Sequence, residues 1–310
     1  MKTLHSVGTG TIASPLISMF SRHKKEFEID EITFHKNTPL KVDWANVSQF
    51  IDGGAILCTD KEKFHGFNEL GFYPQYSREE AIGRANVVID CTPKGVGLQN
   101  KKSYYVQYMN HSKGFIAQGS EFGFGKPYAY GVNEQALTKD DNFIHVVSCN
   151  THNLAILVKT LNKVGSVQKG QFVCIRRASD ISQDDDFCAG VEVDKHKDDK
   201  FGTHHARDAF ELFKTLYPAV SVELYSSSCK ISSQYMHTIH FNIELEDFIL
   251  ESGSPESFKS ALMNTLKESP YVSLTNKTTS NRVFSFGRDH GYYGRILTHT
   301  VISMPTLQIM

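Results

Sequence analysis

Hydrophobic and polar positions in the first half of the chain predict strands and helices in alternation. Strand-like apolar runs stand at residues 3–7, 28–35, 87–89, 114–120 and 143–147. The run at residues 87–89 is continuous rather than alternating, which is typical of a parallel strand covered on both faces. Strands that alternate with helical spacing predict an α/β fold with a parallel sheet over residues 1–148.

A helix is predicted after residue 148 by four apolar residues on one stripe: Leu154, Leu157, Leu161 and Val164. Ser148 or Asn150 can cap its start, which places Cys149 at the helix N-terminus. Unpaired amide groups and the helix macrodipole favour a thiolate at that position. We therefore predict that Cys149 is a nucleophile, with a buried structural thiol as the alternative.

A glycine turn follows the first predicted strand, with the order Gly8, Thr9, Gly10, Thr11, Ile12 and Ala13. It is a GxGxxA variant of the dinucleotide-binding fingerprint. Its first glycine allows a tight turn, and its second lets the backbone approach a pyrophosphate. Because a strand precedes this turn and a helix follows it, we predict a dinucleotide site; a plain glycine turn is the alternative.

The tip of the second strand carries Lys36, where the fingerprint commonly has an acidic residue that binds the ribose of NAD. A lysine attracts a 2′-phosphate, so NADP is the predicted cofactor and NAD the second possibility. A solvated loop lysine is the alternative. The strand at residues 87–89 breaks at Thr92 and Pro93, and its carboxyl end is expected beside the fingerprint turn. Thr92 and Pro93 are therefore predicted to contact the cofactor.

Length, charge and cysteine usage narrow the class of protein. The 310 residues predict two domains, 1–148 for dinucleotide binding and 149–310 for catalysis. Lys plus Arg (33) nearly balances Asp plus Glu (34), without a basic stripe, which argues against nucleic acid as a partner. The absence of a long apolar run predicts a soluble, cytoplasmic protein without a membrane partner. Six scattered cysteines predict free thiols and no metal site.

Eight segments occur in an order that resembles archaeal-type (type II) glyceraldehyde-3-phosphate dehydrogenase. They are TGTI (9–12), VVIDCTPKGVG (87–97), AQGS (117–120), HVVSCNT (145–151), NKVGSV (162–167), IRRASD (175–180), HHARD (204–208) and MHTIHFNIEL (236–245). The resemblance implies a Rossmann domain followed by an α+β catalytic domain with a mixed or antiparallel sheet, in a homotetramer or dimer. It also implies reversible oxidation of glyceraldehyde 3-phosphate to 1,3-bisphosphoglycerate with NADP or NAD and inorganic phosphate, through a thioester.

The resemblance also assigns roles to individual residues. The nucleophile falls on Cys149 and the general base on His237, for which a structural histidine in a strand is the alternative. Cofactor contacts fall on Thr11, Ile12, Gly119 and Arg177, beside Gly8 and Gly10 of the turn. Substrate and phosphate contacts fall on Ser148, Asn150, Thr151, His204 and His205. A surface position is the alternative for the two adjacent histidines. Arg176 and Arg177 should point to opposite faces, so one of them is expected to touch a ligand.

The chain departs from the family pattern in two places. His152 stands where the family usually has threonine, three residues after the predicted nucleophile. The part at residues 251–310 is expected to be shortened, and the family's stretch near the nicotinamide is matched only by His299 and its neighbours. Two other functions therefore stay open. One is a related enzyme such as an aspartate-semialdehyde dehydrogenase or acyl-phosphate reductase, and the other is a catalytically reduced homologue with a binding role.

Overall fold

A computed structural model gives the fold in two compact units. It describes residues 1–179, 188–216, 218, 221–234, 236–246, 254–267, 269, 272–275, 277–283, 285 and 300–303. The first unit comprises Met1–Tyr128 and Leu137–Val147, and the second comprises Ala129–Ala136 and Ser148–Met310. The boundary predicted after residue 148 falls next to this division. The inclusion of Ala129–Ala136 in the second unit was not predicted.

The first unit is built on an eight-stranded sheet in which all paired strands run parallel. Its strands are β1 (Thr3–Val7), β2 (Glu31–His35), β3 (Ile56–Thr59), β4 (Tyr76–Ser77), β5 (Val87–Asp90), β6 (Gly114–Gly119), β7 (Lys126–Tyr128) and β8 (Phe143–Val147). Their spatial order is β4-β3-β2-β1-β5-β6-β8-β7. The order thus reverses between β1 and β5. In open α/β sheets, ligands bind beyond the carboxyl ends of the strands at such a reversal.

Helices connect successive strands from β1 to β6, as parallel pairing requires. They are α1 (Ala13–Arg22), α2 (Trp44–Asp52), α3 (Phe64–Glu69), α4 (Arg78–Arg84) and α5 (Val96–Ser103), with short 3₁₀ turns at Lys41–Asp43, Lys61–Lys63, Tyr105–Tyr108 and Glu134–Ala136. The last of these turns belongs to the second unit. Alternate residues of β5 pack into two hydrophobic clusters: Val87 and Ile89 into one, Val88 into the other. Both faces of the sheet are therefore covered, which explains the continuous apolar run.

The second unit contains a four-stranded sheet with mixed pairing. Its elements are α6 (Cys149–Leu161), β9 (Ser166–Arg176), β10 (Glu192–Val193), α7 (His204–Phe213), β11 (Glu223–Lys230), β12 (Thr238–Glu246), α8 (Pro255–Leu266), β13 (Val272–Thr275) and β14 (Thr300–Ser303). The sheet order is β10-β11-β9-β12, with β9 parallel to β11 and antiparallel to β12. The predicted fold class, a Rossmann-type parallel sheet followed by an α+β unit with a mixed sheet, is confirmed.

Helix α6 is more deeply buried than the predicted amphipathic stripe implied. Ala155, Ile156 and Val158, which lie off that stripe, are also buried. A helix that is apolar on most sides belongs to the core, and α6 packs against both β9 and α7. The residue at its start, Cys149, is exposed. The helix therefore has a buried body and an accessible N-terminus.

The C-terminal region is described in part. Helix α8 begins after Ser254, whose hydroxyl accepts a hydrogen bond from the Ser257 amide at 3.2 Å. Strands β13 and β14 pair in parallel. Of the stretch predicted near the nicotinamide, His299 lies outside the described residues, and the three residues after it belong to β14. Within the described part of the chain, no helix has the length and apolar character needed to cross a membrane.

Candidate active site

The glycine turn after β1 lies at the reversal of strand order, next to the turn after β5. Gly8 has a φ of +99°, and a Cβ there would lie 3.2 Å from the Cys91 carbonyl oxygen. Gly8 is therefore required by the fold itself. A Cβ at Gly10 would meet no described atom within 4 Å. The space over Gly10 is thus left open, which fits a turn that a pyrophosphate approaches.

Two helix N-termini in the first unit differ in what neutralises their amide groups. At α5, the Glu121 carboxylate accepts hydrogen bonds from the amides of Gly95 and Leu98, the latter at 2.9 Å. At α1, no described side chain caps the helix, and its first turn contains no acidic residue. A helix N-terminus attracts anions. Helix α1 can therefore receive a phosphate where α5 already holds a carboxylate of the protein.

The turn after β5 is ordered by Asp90, a residue that was not singled out from the sequence. Asp90 is 2% exposed. Its carboxylate accepts hydrogen bonds from the Thr92 amide at 2.9 Å and the Tyr105 hydroxyl at 2.5 Å. The Thr92 hydroxyl donates to the same carboxylate. Asp90 thus orders the turn at Thr92, and the predicted contacts of Thr92 and Pro93 with a cofactor remain predictions.

Lys36 follows β2 at the same edge of the sheet, and its side chain is engaged. Its Nζ lies 2.7 Å from Oδ2 of Asp43, with 14% of the lysine and 28% of the aspartate side chain exposed. The Lys36 amide donates to the Cys58 carbonyl at 3.1 Å. The Thr59 hydroxyl donates to the Lys36 carbonyl at 2.7 Å. Lys36 is therefore anchored and ion-paired, so the alternative of a solvated loop lysine is not what the structure shows.

Gly119 ends β6 at the same sheet edge, two strands from β1. Its φ is +88°, and a Cβ there would meet no described atom within 4 Å. The Nε2 of His145 lies 2.7 Å from the Gly119 carbonyl oxygen. Because a carbonyl oxygen only accepts hydrogen bonds, Nε2 carries the proton and donates it. The carbonyl edge of Gly119 is thus fixed while the Cα side stays open, which leaves its predicted cofactor contact sterically possible.

In the second unit, Cys149 is the first residue of α6, and Ser148 caps the helix. The Ser148 Oγ accepts from the Thr151 amide at 3.4 Å and lies 2.9 Å from the Thr151 hydroxyl. No acidic residue stands in the first turn. Thr151 is fully buried, and Asn150 is 3% exposed with no hydrogen-bond partner for its Oδ1 among the described residues. Their predicted contacts with a substrate remain predictions.

His237 lies immediately before β12 rather than inside it. Its Nδ1 accepts a hydrogen bond from the Arg177 backbone amide at 3.2 Å. In a neutral ring this bond places the proton on Nε2. Strand pairing brings the two segments together, because Thr238 pairs with Ile175 near the end of β9. The predicted His237 and Arg177 therefore meet, through a contact that the sequence did not indicate.

His204 and His205 begin α7, and their rings lie 3.9 Å apart between centroids. His205 is 4% exposed, so the surface alternative does not apply to it. Burial, helped by the neighbouring charges of His204 and Arg176, lowers the pKa of His205 to about 3. Neither ring nitrogen of His205 has a hydrogen-bond partner among the described residues. His205 is therefore neutral near pH 7 and has unused hydrogen-bonding capacity.

Of the two adjacent arginines, Arg176 forms an ion pair within the protein. Its guanidinium lies 2.7 Å from the Asp194 carboxylate, which also accepts a hydrogen bond from the Ser228 hydroxyl. Burial opposes ionisation of Asp194, but these two hydrogen bonds hold its pKa below the ordinary value. Arg176 is thus engaged within the protein, and the ligand contact predicted for Arg177 remains a prediction.

His152 is half-buried, and its ring contacts the segment Ala129–Ala136, which precedes it in the chain. Its Nε2 lies 2.7 Å from the Tyr130 carbonyl oxygen, and burial lowers the pKa of the ring. Seven residues further along α6, the Lys159 ammonium donates to the Val132 carbonyl at 3.0 Å. These two side chains fasten Ala129–Ala136 to the helix. His152 is therefore a structural tether at the start of α6.

The fold and the site together define a class: Rossmann-type α/β proteins with an exposed cysteine at the start of the helix that follows the parallel sheet. Three known proteins to which the chain is similar share one name. The chain is 26% identical over 260 residues to glyceraldehyde-3-phosphate dehydrogenase from Sulfolobus acidocaldarius, covering 80% of this chain and 68% of that protein. It is 31% identical over 200 residues to the protein of the same name from Methanococcoides burtonii.

The extent of these matches limits what they show. The match covers 63% of this chain and only 55% of the Methanococcoides protein. A third relative, glyceraldehyde-3-phosphate dehydrogenase from Metallosphaera sedula, is 35% identical over 132 residues, which is 36% of its length. No family model matches the chain. The chain is thus similar to archaeal proteins of this name, and the matches cover 36% to 68% of the length of these three proteins.

Proposed function

We propose that this protein is a glyceraldehyde-3-phosphate dehydrogenase that forms 1,3-bisphosphoglycerate reversibly with NADP or NAD. The observation that carries the proposal is the exposed Cys149 at the uncharged, Ser148-capped start of α6. The same protein has an open glycine turn at the sheet reversal, and its relatives carry this name. A cysteine in this position is chemically useful because the helix N-terminus stabilises a thiolate.

The first unit has the features that a dinucleotide requires. The backbone at Gly10 and the uncapped start of α1 would hold the pyrophosphate, and Thr92 and Pro93 would line the adjacent turn. Lys36 stands at the tip of β2 for the adenosine ribose or its phosphate. When bound, the nicotinamide ring supplies a hydride acceptor.

The second unit supplies the groups for addition to an aldehyde. The Cys149 thiolate attacks the aldehyde carbon, and the carbonyl oxygen becomes an alkoxide. In the tautomer fixed by Arg177, His237 donates from Nε2 to that oxygen and stabilises its charge. Hydride leaves the carbon as the alkoxide collapses, and a thioester on Cys149 remains. The proton-accepting role predicted for His237 requires the other tautomer, in which the bond from the Arg177 amide is broken.

Inorganic phosphate completes the cycle by attacking the thioester carbon. The acyl phosphate leaves, and the Cys149 thiolate is regenerated. Arg177 supplies positive charge for phosphate groups, while neutral His205 offers one ring N–H and one acceptor nitrogen. Ser148, Asn150, Thr151 and His204 are the remaining candidates for substrate contacts.

The proposal is tested by steady-state assays with glyceraldehyde 3-phosphate, with and without inorganic phosphate, using NADP and NAD separately. We expect reduced cofactor to accumulate only slowly without phosphate, because the thioester is then resolved by water. Activity that is absent with both cofactors, while aspartate semialdehyde is oxidised, would contradict the assignment. A dimer or tetramer, expected from the resemblance, is checked by light scattering on the same preparation.

A further inference from the structure

The tip of β2 holds an ion pair whose acidic member comes from a later segment of the chain. Asp43 ends the 3₁₀ turn Lys41–Asp43 and stands at the N-cap position of α2, yet its side chain makes no capping hydrogen bond. Its carboxylate instead lies 2.7 Å from the Lys36 ammonium. The carboxylate is therefore directed at the strand tip rather than at its own helix.

The pair lies where the ribose of a dinucleotide is expected. The Gly8 amide donates to the carbonyl of His35, the residue before Lys36, at 3.2 Å. This bond ties the tip of β2 to the fingerprint turn. Hydrogen bonds with Cys58 and Thr59 hold the backbone of Lys36 in place. A large movement of the Lys36 ammonium group would therefore break its ion pair with Asp43.

We propose that Asp43 discriminates between NAD and NADP, by supplying from the start of α2 the carboxylate that the tip of β2 itself lacks. This inference rests on the proposed nucleotide-binding function. A ribose 2′-hydroxyl can donate to Asp43 while the ion pair stays intact. A 2′-phosphate carries close to two negative charges, so it is repelled by Asp43 and must compete with it for Lys36. Removal of the carboxylate frees Lys36 and favours NADP.

The experiment measures dissociation constants of the full-length protein for NAD and NADP by isothermal titration calorimetry. The same titration with 5′-AMP and 2′,5′-ADP tests the ribose end without the nicotinamide. The variant is Asp43→Asn, which keeps the size of the side chain and a good N-cap residue. The matched control is Asp52→Asn, which removes the same charge at the exposed far end of the same helix. Thermal unfolding verifies that both variants fold.

We expect Asp43→Asn to raise the affinity for NADP relative to NAD roughly tenfold, because a like charge is removed and a cation is released. The 2′,5′-ADP to 5′-AMP ratio should rise in parallel, and Asp52→Asn should change neither ratio. Lys36→Met should lower the relative affinity for NADP. In that background, Asp43→Asn should recover less than about threefold, since the cation it would release is gone.

The outcomes separate this inference from the proposed function. Binding of NAD or NADP with the same ratio in Asp43→Asn as in the unaltered protein would overturn the role of Asp43 and leave the dehydrogenase proposal standing. An undiminished effect of Asp43→Asn in the Lys36→Met background would overturn the role of the ion pair. Failure of the unaltered protein to bind any of the four nucleotides would overturn both.

Discussion

Two cysteines of the second unit show how position determines chemistry. Cys149 is exposed at the first turn of α6, whereas Cys174 is 0% exposed in β9, with Ser228 of β11 on one side and Ile239 of β12 on the other. Burial, and next the negative charge of Cys149, raises the pKa of Cys174 to about 12. The same side chain is thus an accessible candidate nucleophile in one place and an inert core residue in the other.

The largest expected effect on activity comes from replacing the thiol of Cys149, compared with replacing the thiol of Cys174. Cys149→Ser should lower kcat by about a thousandfold or more, because a hydroxyl is a far weaker nucleophile than a thiolate. Cys174→Ala should retain most activity and lose about 1 kcal/mol of stability through the small cavity. Steady-state kinetics and urea unfolding of both variants check this contrast. Equal losses of activity in the two variants would contradict the different roles.

Replacement of His237 tests whether the reaction at Cys149 depends on this histidine. His237→Asn should lower kcat by about 10²-fold, in the range usual for loss of an acid–base or hydrogen-bonding group. His237→Gln should recover part of that loss, because its amide can place an N–H near the position of Nε2. The pH profile of kcat separates the roles. If His237→Gln is no more active than His237→Asn and the pH profile loses a titrating group, the proton-accepting role is favoured over donation.

The buried thiol predicts a pH dependence of stability. An exposed thiol in the unfolded chain titrates near 9, while the pKa of folded Cys174 is raised to about 12. Between these values the unfolded state loses a proton that the folded state keeps, so stability is fully present below pH 9 and falls as pH rises toward 12. Removal of the Cys174 thiol should therefore lessen the decrease in the free energy of unfolding at pH 10 by about 1 kcal/mol. Urea unfolding of Cys174→Ala and of the unaltered protein at pH 8 and pH 10 measures this difference.

Cys149→Ala provides the comparison for that experiment. Cys149 is exposed, but its charge is the second cause of the raised pKa of Cys174, so its removal should lessen the alkaline loss of stability by less than removal of Cys174 does. Cys58 and Cys91 of the first unit also have a pKa raised to about 12 by burial, so part of the loss persists in every variant. An alkaline slope that is identical with and without Cys174 would contradict its burial.

The smallest expected effect concerns the tether next to Cys149. His152→Thr removes the hydrogen bond to the Tyr130 carbonyl and should cost about 1 kcal/mol of stability, with a change in kcat below about fivefold. Lys159→Met, which removes the bond to Val132, is the matched control. Thermal unfolding and kinetics check both. A hundredfold loss of kcat in His152→Thr alone would show that the ring takes part in the chemistry.

Much of the fold could be predicted because buried strands and helices show characteristic patterns of apolar residues along the chain. Strands β1 and β8 have the bounds predicted from their apolar runs, Thr3–Val7 and Phe143–Val147. The second strand begins at Glu31 rather than residue 28, since Glu28 has a φ of +52°, a left-handed conformation that cannot continue a strand. The start of α6 could be predicted because Ser148 caps it locally.

Less of the candidate site could be predicted, because most of its contacts join separate segments. Lys36 was found from its place after β2, but its partner Asp43 depends on how the start of α2 folds back. The bond from the Thr92 amide to Asp90 is a local turn that the sequence could have indicated, whereas the bond from Tyr105 to the same carboxylate could not be read locally. The bond from the Arg177 amide to His237 joins the residue after β9 to the residue before β12 and arises only from strand pairing.

In the proposed reaction, Cys149 carries the acyl group. The direct measurement is mass spectrometry of the protein after mixing with glyceraldehyde 3-phosphate and excess NAD or NADP, in the absence of inorganic phosphate, followed by acid quenching and peptide mapping. We expect one acyl adduct on the peptide that contains Cys149, which disappears when phosphate is added. Oxidation of the aldehyde without an adduct on Cys149, or with an adduct on another cysteine, would contradict it.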